Sequence, residues 1–188
     1  VLAVQLVDVA WAGLLLAGVE RVRIDPTLPS NPLDLVYMPY THGLPATFAW
    51  TAAAFVAGRR WLGESRAALA LAAAVGSHWL LDLVVHRPDL PLWDDAHKVG
   101  LALWNLPLAA FLLEAGLLVA GAALLLRSPG ASRLSRRGLL WLTGALLIGH
   151  VVFWLGPPPP GVGTLALTAL AFFLVAAWGA ARVEPSPA

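Results

Sequence analysis

The chain of 188 residues has no cysteine, a single methionine and only 12% charged residues. Without cysteine there is neither a disulfide framework nor a thiolate metal site. Any metal site must draw on His, Asp, Glu, Asn or backbone oxygen. The charged share is about half of the roughly 25% found in an average soluble domain. The charges nearly cancel, to +1, so no polyanionic partner such as nucleic acid is implied. There is no internal repeat, which leaves an inverted-repeat transporter without support. What is present is apolar: 59% of the residues are hydrophobic and the mean hydropathy is +0.76. These numbers exclude a soluble globular enzyme, a disordered chain and a nucleic-acid-binding domain. A polytopic all-α membrane protein of one domain is left, a transmembrane helical bundle in contact with the lipid bilayer.

Six apolar segments are expected to span: Val1–Val19, His42–Ala57, Ala67–Val85, Leu101–Leu126, Gly138–Leu155 and Val162–Ala181. A bilayer core takes about 20 residues of helix, and the second segment is short against that measure. Ala and Gly recur in all six, which permits close packing. The chain opens on Val1 rather than Met and is apolar from that residue. It has neither a basic start nor a small-residue cleavage site, so a retained helix is expected there, with a few residues before it missing.

Orientation follows from Lys and Arg in the loops. One side holds eight: Arg59, Arg60, Arg66, Arg127, Arg133, Arg136, Arg137 and Arg182. The other holds four: Arg21, Arg23, Arg87 and Lys98. The bias places both termini in the cytoplasm. On the outer side, Glu20–Thr41 is a long loop punctuated by prolines, and His86–Gly100 is dense in polar groups. Long polar loops on one face usually carry function. Glu20 beside Arg21 and Arg23, and the pair Asp94–Asp95, read as solvated loop charges; His97 has no partner at a diagnostic spacing.

An ionisable group inside a span costs a few kcal/mol and needs a partner or a task. Asp8, His42, His78, Asp82, Glu114 and His150 all lie in predicted spans, in the outer half or near the midplane, and Asn105 lies near them. That clustering predicts a polar pocket open to the extracytoplasmic side. His78 and Asp82 are four apart and share a helix face, so they can ligate one ion or bond to each other. His86 continues the face but lies about 12 Å farther along the axis, unless the helix ends before it, which Pro88 favours. Thr41 suits an N-cap with Pro45 in the first turn, and a helix N-terminus there suits an anion such as phosphate.

A catalytic site of the zinc type needs three protein ligands and an open position. His42, His78 and Asp82 supply three, with Asp8 as a fourth ligand or a general base. Glu114 is placed to orient a ligating His. The plain alternatives stay open: a His78–Asp82 pair stapling helices, a boundary His42, helix-to-helix bonds from Asp8 and Glu114, a structural His150, and an interfacial ion cluster of His86, Arg87 and Asp89.

Thr41-His42-Gly43-Leu44 resembles the Thr-His-Ser-Leu motif of the bacterial membrane-bound metal-dependent hydrolase-like family, and His78-Trp79-Leu80-Leu81-Asp82 resembles its His-x-x-Leu-Asp motif. The likeness is greater to bacterial integral membrane proteins with a Pro-Tyr-Thr/Ser-His element. These carry a Ser-His-Trp-Leu-Leu-Asp element running on through Val85-His86-Arg87-Pro88-Asp89-Leu90-Pro91-Leu92, followed by Leu103-Trp104-Asn105. It covers roughly Gln5 to Asn105. The hydrolase-like family also shows an early His, a Pro-Asp-x-Asp-type element and a His-Arg before its Thr-His; here Asp8 alone stands near the start.

The resemblance implies a multi-pass protein of the bacterial inner membrane with a divalent metal, zinc, held by His42, His78 and Asp82. Asp8 is then ligand or catalytic base, and His86, Asn105, Glu114 and His150 are outer-shell or pocket residues. The function expected is metal-dependent hydrolysis of a membrane-associated substrate such as a phospholipid or isoprenoid phosphate ester. The alternative is a non-enzymatic accessory subunit packed in a larger membrane protein complex.

Overall fold

A computed structural model describes residues 2–128 and 135–183. Val1 and Arg133, used in the expectations above, lie outside the described residues. Among the described residues there are six α-helices: α1 Leu2–Leu16, α2 Leu44–Leu62, α3 Ser65–Val85, α4 Pro107–Arg127, α5 Arg136–Leu155 and α6 Val162–Val183. The last four are long and apolar enough to cross a membrane, and little of each is covered by the rest of the protein. α1 is shorter than its predicted span, and α2 runs on to Leu62 with Arg59 and Arg60 in its last turn.

The fold is mostly helical rather than all-α. The two polar loops are antiparallel hairpins, β1 Arg21–Ile24 with β2 Leu33–Tyr37, and β3 Leu90–Trp93 with β4 Ala96–Val99. The fourth helix starts at Pro107 and not at Leu101. Residues 101–106 form a loop and one 3-10 turn, Leu103–Asn105, after which Pro107 supplies the preset φ of a first helical turn.

Each helix packs on the next in the order α2, α3, α1, α6, α5, α4, an open ring in which α4 and α5 make no extensive contact with α3. The hairpins cap one end of this ring. Beneath them lies the main core, with Trp11 and Leu15 of α1, Leu35, Met38, Trp79 of α3, Leu90 and Leu165 of α6. The outer edge of β2 has no third strand. Its backbone groups are met by side chains of the second loop. Leu35 N–H donates to Asp89 Oδ2 at 3.1 Å, Lys98 Nζ donates to the carbonyls of Leu35 and Val36, and Arg87 donates to Leu33 O and Pro29 O.

Two backbone features set the site. α1 is released by Gly18 at φ +70, and the next residues fold back on the helix, Val19 N–H onto Leu14 O at 2.9 Å. That turn tucks Glu20 inward. α3 ends at Val85, as Pro88 leads one to expect, so His86 is extended and turns back toward the ring. Leu101 N–H bonds to Leu83 O and Ala102 N–H to His86 O, which ties down this exit. Gly100 lies so close that a Cβ there would overlap the carbonyl oxygens of His86 and Arg87. Gly100→Ala is therefore expected to displace His86 and cost about 2–3 kcal/mol, read as a lowered midpoint of thermal unfolding in detergent.

Candidate metal centre

Four side chains from three elements converge at the hairpin end. Asp8 comes from α1, His42 from the residue before the Gly43 N-cap of α2, and His78 and Asp82 from one face of α3. Asp8 Oδ1 lies 3.7 Å from His42 Nε2 and 3.4 Å from His78 Nε2. Asp82 Oδ2 lies 3.6 Å from His42 Nε2 and 3.2 Å from His78 Nε2. Carboxylates and imidazoles alternate around a closed ring. Asp8, His42 and His78 each place a donor atom within 4.8 Å of the others.

These distances are short, yet His78 Nε2 and Asp82 Oδ2 are both buried without a hydrogen-bond partner. Burying such atoms unpaired is costly.

The outer bonds of the two imidazoles say which nitrogen carries the proton. His78 Nδ1 lies 3.2 Å from Val4 O, and a carbonyl only accepts, so Nδ1 donates. Thr41 Oγ1 donates its one proton to Glu20 Oε2 at 2.6 Å. It therefore accepts from His42 Nδ1, 2.7 Å away. Where the rings are neutral, Nε2 of each carries the lone pair, beside two carboxylate oxygens. Two imidazole nitrogens and two carboxylate oxygens this close together are a donor set suited to a cation. The four nitrogen-to-oxygen separations are 3.2–3.7 Å, near the roughly 3.3–3.6 Å between ligand atoms about one ion with bonds of about 2.0–2.2 Å, while Asp82 stands outside the set of Asp8, His42 and His78 whose donor atoms all lie within 4.8 Å of one another. The residues present could thus hold a metal ion.

Asp8, His42, His78 and Asp82 are the residues the structure brings together out of those predicted, and Asp8 stands in the donor ring itself. His86 does not join the ring. It lines the adjoining cavity of about 250 Å³, with its centroid 6.4 Å from that of His42. Its Nδ1 lies 3.2 Å from Asp89 Oδ1, and its ring packs on Trp104 at 4.2 Å. Asn105 accepts from Arg87 Nε at 2.9 Å and serves that loop. Glu114 and His150 form a separate group on α4 and α5. Glu114 accepts from the indoles of Trp104 and Trp154, and His150 Nδ1 stands 3.6 Å from it.

Glu20 and Thr41 were the residues missed. Glu20 is not a solvated loop charge: it is 1% exposed, as is Thr41. Its Oε1 accepts from the backbone N–H groups of Tyr40 and Thr41 at 2.8 and 2.9 Å. Thr41 is not an N-cap, since Gly43 holds that position without a side-chain bond. The hydroxyl adjoining a candidate ligand in Thr41-His42 was the available signal for this relay. Glu20 gave none, because Arg21 and Arg23 beside it point to water. Searched against known proteins, the chain matches no family model, no curated protein and no solved structure.

Proposed function

We propose that this chain is a multi-pass protein of the bacterial inner membrane that binds one divalent metal and hydrolyses a membrane-associated substrate at its hairpin end. All six helices then span, the hairpins face outward and both termini face the cytoplasm. The Arg-bearing ends of α2, α4 and α6, away from the hairpins by connectivity, favour that orientation.

The observation that carries the metal reading is the cluster of Asp8, His42, His78 and Asp82, in which each imidazole Nε2 lies within 3.7 Å of two carboxylates. The likeness of Thr41–Leu44 and His78–Asp82 to the membrane-bound metal-dependent hydrolase-like family supports hydrolysis. Asp8, His42, His78 and Asp82 hold the ion. When bound it supplies positive charge that polarises an ester carbonyl or phosphoryl oxygen. His86 has Nδ1 engaged by Asp89, which leaves Nε2 to take or give a proton in the cavity. Asp8 is the most exposed of the four, with a side-chain exposure of 26% against 5–15% for the others. Trp11, Met38 and Trp104 wall the cavity and limit bulk water.

A second reading has one observation in its favour. Four protein donors make a closed set, as in structural metal sites, and that suits an accessory subunit of a larger membrane complex. One experiment separates the two. Purified protein in detergent is offered long-chain acyl and phosphoryl esters of 4-nitrophenol, with and without chelator. Metal-dependent release of nitrophenolate is expected. Release that ignores both the chelator and Asp82→Asn sinks the catalytic reading. One bound ion per chain with no release from any ester leaves the structural one standing.

A further inference from the structure

A second cavity, of about 580 Å³, lies inside the open ring between α1, α4, α5 and α6, toward the end away from the hairpins. It shares α1, α5 and α6 as walls with the metal-site cavity. The two follow one another along the same helices: Gln5 and Leu146 line the second, Asp8 and Phe153 the first. Gln5 precedes Asp8 by one helical turn and Leu146 precedes Phe153 by two, about 5 and 10 Å along the axes. The walls of the second cavity are apolar almost throughout. The exception that matters is Gln5, whose Oε1 is buried without a partner. A buried acceptor in that state calls for a donor from a ligand, a hydroxyl or an amide N–H.

Charge narrows the ligand further. Among the described residues no Lys or Arg lines the metal-site cavity. Arg87 and Lys98, the nearest candidates by sequence, are spent on backbone carbonyls, Asn105 and Asp95. A divalent ion only balances Asp8 and Asp82. Glu20 and Asp89 are further buried carboxylates, bonded to Thr41 and His86, and neither lines this cavity. A phosphate monoester or diphosphate would bring negative charge to a wall whose carboxylates the ion just balances, with no cationic side chain to pair it.

From this, and resting on the hydrolytic reading above, we infer that the substrate is a neutral amphiphile. It carries a carboxylic ester or amide with a hydroxyl or N–H donor at its head, and a single long apolar chain that lies along the α1–α4–α5–α6 cavity. The head meets Gln5 and the His/Asp ring; the chain runs toward Leu125 and Val183. A phosphorylated lipid is disfavoured although it is as apolar.

The test reads binding and not turnover. Metal-loaded protein in detergent is incubated with 1-monooleoylglycerol or with 1-oleoyl lysophosphatidate, each as its uncleavable 1-O-alkyl ether, which differ by the phosphate alone. The retained ligand is counted by native mass spectrometry. Monooleoylglycerol is expected to be retained about tenfold more tightly. Gly121 lines the chain cavity and has open space where a Cβ would stand, so Gly121→Leu blocks the cavity without straining the helix. It should weaken monooleoylglycerol about tenfold, the loss of about two buried methylenes. Metal content and retention of short-chain monobutyrin should not change. Preferential retention of lysophosphatidate, or equal retention of monooleoylglycerol in Gly121→Leu, overturns the inference while leaving metal-dependent hydrolysis intact. Chain-dependent retention in a protein that binds no metal keeps the neutral, chain-bearing ligand but overturns its role as a substrate, together with the hydrolytic reading.

Discussion

Replacing His78 by alanine is expected to take bound zinc from about one ion per chain to near zero, measured by elemental analysis after purification and dialysis against micromolar zinc. His78 contributes one of four donor atoms, and its Nε2 touches both carboxylates of the ring, at 3.2 and 3.4 Å. Its loss leaves Asp8 and Asp82 without the base that stands between them. The fall in affinity should exceed the 10–100-fold typical of an outer-shell partner. Asp82→Asn removes one of the two charges that neutralise the ion and should act in the same direction. A thermal readout follows by mass action: zinc at about 100 times its dissociation constant adds about 2.7 kcal/mol to the stability of the wild type. That increment should vanish in His78→Ala. His150→Ala is the control, since His150 belongs to the separate group with Glu114. Equal zinc in wild type and His78→Ala, or a loss in His150→Ala as large, would refute the site.

The parts of this arrangement that sequence made visible are those fixed within one helix. The four-residue spacing of His78 and Asp82 puts both on one face whatever surrounds α3, and the structure keeps that pair at 3.2 Å. Asp8 stood out because a carboxylate in an apolar run needs a reason. Nothing local said that α1 packs beside α3; that follows from the order of helices around the ring. Pro88 made the exit of His86 legible. The hairpins were not: Arg21–Ile24 and Leu33–Tyr37 are short, and a proline-punctuated loop hides their alternation. Leu33 and Leu35 do face the core while Val36 is exposed, but over so few residues period two carries little weight. The start of α4 was misread because Leu101–Leu106 is as apolar as the helix after it. Backbone geometry decides there, with Ala102 at φ +58.

Glu20→Gln should separate positioning of His42 from mere support of the fold. The carboxylate is buried and accepts three hydrogen bonds, two from the backbone of residues 40–41 and one from Thr41 Oγ1. Glu20→Ala strands all three donors and is expected to cost about 3–5 kcal/mol, which by itself shows only that the group is structural. Glutamine keeps an acceptor for the backbone N–H groups and places an NH₂ beside the Thr41 hydroxyl. That hydroxyl then accepts from Gln and has its proton left for His42 Nδ1, 2.7 Å away. The neutral ring must take the other tautomer, with its proton on Nε2, in the place the metal needs. Zinc affinity should fall about 10–100-fold, while the unfolding midpoint without zinc moves far less than in Glu20→Ala. Thr41→Ser keeps the relay and should retain wild-type affinity; Thr41→Val breaks it and should not. Imidazole ¹⁵N shifts of the zinc-free protein give a direct reading, with His42 protonated at Nδ1 in the wild type and at Nε2 in Glu20→Gln. A Glu20→Gln protein that binds zinc as tightly as the wild type would show that the buried carboxylate holds the loop and nothing more.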